Sequence, residues 1–344
     1  MSNVNDFEIK NGVLVKYHGN DTEVVIPEGV TKIGLLAFAE CKLLTNVKIP
    51  EGVTEIGEWA FWRCSSLTNI TIPKGVTKIG EGAFCDSSIT NVSIPEGVTE
   101  IGKLVFSYCG LLKCIDVDAK NSTYHIEGNC LIETASNKLV RGSLNSIIPN
   151  NVTEIGDYAF CGCELLTNIT IPEGVAKIGE RAFSDCSSLT NITIPESVTE
   201  IGEYAFSDCP LLERVVVLGD IKFNKDVFNG CKSLKMIIAP NAKVRHSAVC
   251  YRGFLEGFEL FDKKKRASYI KGMQSHLDIA IEAVGGDGGA FKKFLDCIKP
   301  EGELFDLLLK LTTSQGKTEL TAMLLEYGNS NGNKKSPLDD LKWD

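Results

Sequence analysis

The sequence has no uninterrupted apolar run near the ~18 residues that a membrane-spanning helix needs. Its 13 cysteines among 344 residues are 13/344, about 4%, below the ~8–10% of a disulfide-built scaffold. The first six residues contain neither the basic region nor the apolar region of a secretory signal. These absences argue against a membrane span and a disulfide scaffold, and they favour a cytoplasmic location.

Positive charge and histidine are also scarce. The chain has 36 basic and 45 acidic residues, a net charge of 36 − 45 = −9. An acidic chain repels phosphate unless it carries a concentrated basic face, so we expect no nucleic-acid partner. Only four histidines occur, and the motifs G-x-S-x-G, H-E-x-x-H and G-x-x-x-x-G-K-[ST] are missing. We therefore expect a protein that is not an enzyme and that uses no cofactor or metal.

What the chain does contain is a strong internal period. Phenylalanine recurs in two groups of four with steps of 23, 23 and 22 residues in each group. Such a period indicates a solenoid, because one short unit cannot bury its apolar face until it stacks on its neighbours. The two groups predict two arrays of about four coils each. The repeated phenylalanines are Phe38, Phe61, Phe84 and Phe106, then Phe160, Phe183, Phe206 and Phe228.

Each part of the repeat has a predictable role in one coil. The segment Leu67-Thr68-Asn69-Ile70-Thr71-Ile72 alternates apolar and polar residues, which is typical of a strand with one buried face. The proline that follows cannot donate to a neighbouring strand and ends it. An Ile-Gly pair forms a second corner, and Ala-Phe forms a third side whose phenylalanine fills the coil.

A charged column tests this register. The residue before each Ile-Gly pair alternates in sign from coil to coil, so stacking places opposite charges side by side. We interpret the column as structural. Its members are Lys32, Glu55, Lys78 and Glu100, then Glu154, Lys177 and Glu200.

The unit L-x-x-I-x-I-P-x-x-V-T-x-I-G-x-x-A-F-x-x-C resembles the BspA-like leucine-rich repeats over roughly residues 24–240. The resemblance implies a right-handed solenoid with a parallel β-sheet on its concave face. It also implies a binding role, since the best-known members are similar to bacterial surface proteins that hold host or partner proteins. The fold class is therefore an α/β repeat solenoid followed by a small C-terminal α-helical domain.

Two segments interrupt or precede the repeats. Alternating apolar residues around Asn11-Gly12 and around Gly128-Asn129 predict β-hairpins. The first, within residues 1–23, would cap the edge of the first coil, and the second lies in an insertion near residues 118–148. We favour a structural role for the second hairpin, with a loop on a binding face as the alternative.

After residue 240 a helical spacing of apolar residues replaces the repeat, as in Ile270, Met273, Leu277 and Ile281. Residues 241–327 are therefore expected to form a helical domain of four or five helices. The polar stretch 328–344 is expected to be a disordered tail.

Seven cysteines lie three residues after a repeat phenylalanine and should stack in a column. Parallel Cβ directions suit a disulfide poorly, so we expect buried free thiols, in agreement with a reducing compartment. The column consists of Cys41, Cys64, Cys109, Cys163, Cys186, Cys209 and Cys231.

The outward positions of the repeat strands are the candidate binding residues. An asparagine column, flanked by threonines, could be a structural ladder that hydrogen-bonds along the stack or a contact surface for a partner. The asparagines are Asn46, Asn69, Asn91, Asn168 and Asn191.

The column ends in residues of a different kind, Arg214, Val216, Met236 and Ile238. Arginine, methionine and exposed aliphatic side chains are enriched at interfaces, so these four are further candidates for partner contact. The alternative is that the helical domain covers them.

The sequence thus predicts a non-enzymatic protein–protein interaction module that holds a protein or peptide on the concave sheet. One alternative is a cell-surface adhesin of the BspA-like type, exported by an unrecognised route. The other is a repeat domain that targets an activity carried by the helical domain.

Overall fold

The computed structural model describes residues 4–221, 225–239, 248–261 and 263–331. The chain divides into two compact units. The repeat unit comprises Met1–Leu212 and Ile221–Ser233, and the helical unit comprises Glu213–Asp220 and Leu234–Asp344.

Each coil of the repeat unit contributes strands to two sides. The longer strands, here called the Asn strands, carry the asparagine column, and the shorter two-residue strands, the charged strands, carry the charge column. With strands numbered along the chain, the Asn strands of this unit are β3 (Glu23–Val25), β5 (Asn46–Lys48), β7 (Asn69–Thr71), β9 (Asn91–Ile94), β11 (Cys114–Val117) and β17 (Asn191–Ile194). The charged strands are β4 (Lys32–Ile33), β6 (Glu55–Ile56), β8 (Lys78–Ile79), β10 (Glu100–Ile101), β15 (Glu154–Ile155), β16 (Lys177–Ile178) and β18 (Glu200–Ile201).

The parallel register of the charged strands confirms the structural interpretation of the charge column. Lys32 lies opposite Glu55, and their side chains form an ion pair of 2.9 Å. In the second array Lys177 lies opposite Glu200, with an ion pair of 3.0 Å. The alternation of sign along the sequence is therefore a cross-strand pairing between coils.

The third side of each coil carries the buried phenylalanine, and the rings stack as the period predicts. Ring centroids are 5.0 Å apart between Phe38 and Phe61 and 5.1 Å apart between Phe183 and Phe206, with nearly parallel planes. Backbone hydrogen bonds also join successive coils on this side, for example from Phe61 N–H to Ala83 C=O at 2.8 Å. The core is thus a continuous column through each array.

Both predicted hairpins form. β1 (Phe7–Lys10) and β2 (Val13–Tyr17) are antiparallel, and β2 continues in parallel with β4 of the first coil. In the insertion, β12 (Tyr124–Glu127), β13 (Cys130–Glu133) and β14 (Lys138–Arg141) form an antiparallel meander whose last strand pairs in parallel with β15. The turn residues Asn11, Gly12, Gly128 and Asn129 all have positive φ, as a tight hairpin turn requires.

The helical unit contains two Asn-type strands and six helices among its described residues. β19 and β20, which the sequence places in the solenoid, group here with the helices. The elements are β19 (Arg214–Val217), β20 (Met236–Ile238), α1 (Ala248–Glu256), α2 (Lys263–Ser275), α3 (Leu277–Val284), α4 (Gly288–Ile298), α5 (Glu303–Ser314) and α6 (Thr318–Ser330).

The six helices exceed the four or five that the spacing predicts. α6 continues to Ser330, past Gly328, where the tail was expected to begin, and residues 332–344 lie outside the described residues, as do 240–247. Among the helices that the structure describes, each is too short or too polar to serve as a membrane span.

Candidate functional site

The asparagine column lies on exposed positions of the repeat unit. Asn46 pairs with Glu23, and Asn91 lies between Asn69 and Cys114 in a parallel sheet. The side chains do not bond along the stack. Each Nδ2 of four asparagines donates to the threonine immediately before it, at 3.2 Å in Asn69 and 2.9 Å in Asn191. The bonds between coils are made by threonine instead, as from Thr45 Oγ1 to Thr22 C=O at 2.8 Å.

Asn168 is the one column member that lies outside a strand, although its segment has the strand pattern. The coil before it also differs from the others. Ile147 N–H donates to Gly128 C=O of the insertion at 2.8 Å, and Ser146 closes a turn with Ser143. Asn168 itself is exposed, and its Nδ2 donates to Thr167 at 3.4 Å.

Of the two interpretations of the four residues at the end of the column, coverage by the helical domain applies to two. Val216 is 8% exposed and Ile238 is 1% exposed. Helix α1 approaches β20 so closely that a Cβ on Gly253 would meet Ile237 C=O, and one on Gly257 would meet Ile238 Cγ2 at 2.7 Å. The two glycines admit the helix against the strand, so the helices of this unit cover the aliphatic side chains.

Arg214 and Met236 are less covered. Arg214 is exposed and lines a cavity of about 800 Å³ in the helical unit, and Met236 is half-buried. The cavity also has apolar residues Leu255, Phe258 and Ile270 and the basic residues Lys293 and Lys299 in its wall.

The cysteine column forms hydrogen bonds that the period did not reveal. Cys64 Sγ donates to Phe38 C=O at 3.2 Å, and Cys186 Sγ donates to Phe160 C=O at 3.3 Å. The same bond recurs from Cys109, Cys209 and Cys231 to the phenylalanine carbonyl of the coil before. Burial raises the pKa of Cys64 to about 12, so the thiol keeps the hydrogen that it donates.

The third side of the coils has an unusual backbone. In seven coils two residues adopt left-handed φ values between 49° and 71°, one two residues before the phenylalanine and one two residues after it, and the coil of Phe228 has only the second, Gly230. Bulky residues rarely accept this conformation, and they persist in it only where the surrounding structure holds them. The column before Ala-Phe is Leu36, Trp59, Gly82, Leu104, Tyr158, Arg181 and Tyr204.

These left-handed turns present aromatic and arginine side chains around an open groove of about 600 Å³, here called the aromatic groove. Trp59 and Trp62 meet edge to face at 6.2 Å, and the Arg63 guanidinium lies 4.5 Å from the centre of the Trp62 ring. The groove spans the join between the arrays. Its lining residues are Leu36, Trp59, Trp62, Arg63, Cys85, Asp86, Leu104, Tyr108, Tyr158 and Arg181.

Hydrogen bonds fix the polar groups of the aromatic groove. Arg63 Nε donates to Asp86 at 3.2 Å, and Tyr108, which is 38% exposed, donates its hydroxyl to Asp185 at 2.8 Å. Burial raises the pKa of Tyr108, and the hydrogen bond to Asp185 raises it further, so the hydroxyl stays protonated. Tyr158 donates to Glu180 at 3.2 Å in the same way.

The aromatic groove was missed from the sequence, although a signal was present. Tryptophan, tyrosine and arginine occupy the position before Ala-Phe in Trp59, Tyr158, Arg181 and Tyr204. Read by the period alone, these residues share a column, but the left-handed backbone that turns them toward a common groove is not visible in the pattern. In the described part of the chain, no cluster of three histidine, cysteine or acidic side chains is arranged to hold a metal.

Comparison with known proteins agrees with this architecture. A family model described as "BspA type Leucine rich repeat region" matches residues 9–138 and 140–253. None of the curated proteins compared with the chain matches it.

Solved structures of bacterial leucine-rich repeat proteins are similar. One from Eubacterium ventriosum has a TM-score of 0.56 at 24% identity and covers 66% of this chain and 71% of its own. A leucine rich cell surface protein from Faecalibacterium prausnitzii has a TM-score of 0.47 at 24% identity, covering 70% and 92%. One from Bacteroides ovatus has a TM-score of 0.47 at 32% identity, covering 63% and 55%. The family match extends over well more than half of the residues, and the chain belongs to the BspA-type leucine-rich repeat family.

Proposed function

We propose that this chain is a non-enzymatic interaction module that binds a protein or peptide through the aromatic groove. The observation that carries the proposal is the concentration of Trp59, Trp62, Tyr108, Tyr158 and two arginines around one open groove. Tryptophan, tyrosine and arginine supply most of the energetic hot spots at protein interfaces, because each buries a large area and offers a polar end.

The support beneath the groove also suits binding. The left-handed residues are held by bonds between coils, such as Trp59 N–H to Glu81 C=O at 2.8 Å and Arg63 N–H to Cys85 C=O at 3.0 Å. A surface that is ordered before the partner arrives loses little conformational entropy on association. The rigid stack of coils therefore favours recognition of an extended or convex partner.

The sheet of Asn strands is a second proposed contact surface. Asn46, Asn69, Asn91, Asn168 and Asn191 are exposed, and the amide nitrogen of the last four is used within its own coil. Their Oδ1 atoms could accept hydrogen bonds from a partner backbone. Arg214 and Met236, which belong to the helical unit, are proposed as separate contact residues of that unit.

Quantitative affinity capture from the native cell tests which surface is used. We expect Trp59→Ala with Tyr158→Ala to lose the captured partner, because the pair removes two ring contacts of about 1–3 kcal/mol each. The matched variant carries Asn69→Arg, Asn91→Arg and Asn168→Arg and should retain it. Loss only in the asparagine variant would move the site to the Asn strands, and identical profiles in all three proteins would contradict both surfaces.

A cytoplasmic location is proposed with this function. The thiols of the cysteine column donate to backbone carbonyls at five positions, an arrangement that suits a reducing compartment. The alternative is an adhesin at the cell surface. Fractionation of the native cell separates the two, because recovery in the surface fraction with oxidised thiols would contradict the cytoplasmic proposal.

The cavity of about 800 Å³ in the helical unit supports a second candidate function, in which this unit carries an activity and the repeats supply targeting. Its wall holds three basic residues, Arg214, Lys293 and Lys299, and three acidic residues, Glu256, Glu259 and Asp296, so its charge favours neither sign of ligand. A nucleotide panel tested by thermal shift on the full chain checks this candidate. Stabilisation by ATP that Lys293→Ala with Lys299→Ala abolishes would support it, and no stabilisation by any nucleotide would contradict it.

A further inference from the structure

Two glycines shape the aromatic groove. Six of the seven residues in the left-handed column before Ala-Phe carry side chains, and the seventh is Gly82. A Cβ on Gly82 would lie 2.4 Å from Cε3 and 2.5 Å from Cζ3 of Trp59, so the indole of Trp59 extends over the next coil. At Gly162, a Cβ would lie 2.7 Å from Cα and 2.8 Å from Cδ1 of Tyr108. Each glycine thus makes room for an aromatic residue of the coil before it.

The charged groups of the aromatic groove are already paired. Arg63 contacts Asp86 at 3.2 Å and Glu40 at 3.5 Å. Arg181 lies 3.8 Å from Glu180. A charged ligand would have to compete with these pairs, so charge complementarity favours an uncharged segment as the occupant of the groove.

The backbone on this side of the coils is used between the coils. Trp59 N–H donates to Glu81 C=O at 2.8 Å, and Arg63 N–H donates to Cys85 C=O at 3.0 Å. A strand that adds to a sheet needs free backbone donors and acceptors at an edge. An added strand would find these groups occupied, so the partner has to be held by side chains.

The indole N–H groups of Trp59 and Trp62 are free donors of residues that line the groove. In the part of the chain that the structure describes, neither has a hydrogen-bond partner, and neither is among the buried polar atoms that lack one. A helical partner offers these donors few carbonyls, because its own N–H groups use them. A polyproline II helix has no internal hydrogen bonds, so its carbonyls can accept.

We propose that the aromatic groove binds a proline-rich segment in the polyproline II conformation. The inference rests on the function proposed above and names the class of its partner. Proline-rich segments bind in grooves lined by aromatic side chains, and their conformation is set before they bind, so little entropy is lost on association.

The spacing along the stack agrees with this partner. One turn of a polyproline II helix, three residues, rises ~9.3 Å. Trp59 extends over the coil of Gly82 and Tyr108 contacts the coil of Gly162, two coils further on. Two coils at the spacing of adjacent strands rise ~9.6 Å, so successive turns of the segment would meet successive aromatic residues.

Tryptophan fluorescence and calorimetric titration of the full chain with acetylated, amidated decaproline test the proposal. We expect saturable binding that changes the indole emission, and a glycine–serine peptide of the same length, which is a flexible coil, should not bind. Trp59→Ala should weaken the binding of decaproline at least about tenfold, because tryptophan contacts of this kind dominate binding energies. Leu211→Ala changes an exposed side chain of the same unit outside the groove and is the matched control, which should bind like wild type.

Decaproline that binds no better than the glycine–serine peptide would overturn the proposal, and so would equal binding by wild type and Trp59→Ala. Binding of an amphipathic leucine–lysine helix in its place would assign the groove to a helical partner. The affinity capture described above separates this failure from failure of the proposed function. If Trp59→Ala with Tyr158→Ala loses the captured partner while decaproline does not bind, the groove is used by a partner of another class. Capture that is unchanged in that variant would count against the proposed function itself.

Discussion

Both arrays begin with the same kind of hairpin strand, but the start of the first array and the start of the second lie in different surroundings. In each, a hairpin strand pairs in parallel with the first charged strand, β2 with β4 and β14 with β15. At the first start, Tyr17 continues the ring stack, 5.1 Å from Phe7 and 5.2 Å from Phe38. At the second start, the equivalent residue is Gly142, and a Cβ there would lie 2.0 Å from the Phe160 ring.

The difference shows how one array is joined to another. The last coil of the first array also contacts the second start, through Tyr108 N–H to Cys161 C=O at 3.3 Å and Lys103 to Asp157 at 2.8 Å. A tyrosine at residue 142 would occupy space that Phe160 already fills, so glycine is required. Lys16, which is half-exposed at the first start, corresponds to Arg141, which is buried at the second. An end cap has thus been adapted to an internal position.

The largest expected effect is a difference in stability between substitutions in the interior of an array and at its start. Phe61→Ala should lower the free energy of unfolding by about 3–5 kcal/mol, because a fully buried ring stacked on both sides leaves a cavity. Tyr17→Ala should cost less, since a terminal coil can open on its own. Urea unfolding of both variants checks the order, and an equal loss would mean that the start is as cooperative as the interior.

Gly142→Ala should destabilise the repeat unit by about 1–3 kcal/mol, because the added Cβ would overlap the Phe160 ring. Gly110→Ala is the matched control. It also lies in the repeat unit near the join, and a Cβ there would meet nothing within 4 Å, so its stability should stay close to that of wild type. If both variants unfold like wild type in urea, the packing at the second start is looser than described.

Alkaline pH should weaken the repeat unit through its buried thiols. Burial raises the pKa of Cys64 and of Cys85 to about 12, whereas the unfolded thiol titrates near ~8.5. Between these values only the unfolded state releases the proton, so stability is full below about pH 8.5 and falls as pH rises, by about 1.4 kcal/mol per pH unit for each thiol.

The fall of unfolding free energy with pH should be less steep in Cys64→Ala than in wild type, measured by urea unfolding between pH 8 and 10.5. Cys114→Ala, which changes an exposed thiol, is the matched control and should keep the wild-type slope. A slope unchanged in Cys64→Ala would show that this thiol is open to solvent.

The smallest effect concerns the charge pair that distinguishes the two starts. The first start places Val13 opposite Lys32, and the second places Lys138 opposite Glu154 with an ion pair of 2.9 Å. Lys138→Val copies the first arrangement into the second and should cost at most about 1 kcal/mol, because the pair is partly exposed. A larger loss of unfolding free energy, measured in urea, would mean that Lys138 also stabilises the packing around Arg141 at the other end of β14.

Much of the repeat unit could be predicted from the sequence because its contacts repeat. Residues one period apart must stack, which places Phe38 on Phe61 and Lys32 beside Glu55 without knowledge of the rest. The hairpins followed from alternation around Asn-Gly and Gly-Asn, which suit the positive φ of tight turns.

Other parts could not be settled from the period. Coverage of Val216 and Ile238 was one of two alternatives for these residues, because it depends on α1, whose approach requires Gly253 and Gly257. The burial of Arg141, in the insertion, was not predicted, because it depends on contacts such as those to Tyr158 C=O and Cys161 C=O in the coil after the insertion. The aromatic groove depends on left-handed backbone at Trp59 and Tyr158, which column membership does not indicate.

The central functional claim is that joining the arrays creates the partner-binding surface, because the aromatic groove takes Trp59 and Tyr108 from the first array and Tyr158 from the second. Site-specific photo-crosslinking in the native cell tests it directly, with benzoylphenylalanine in place of Tyr158 in one protein and of Asn91 in another. We expect a discrete crosslinked protein from position 158 and none from position 91. A discrete product from position 91 alone would contradict it.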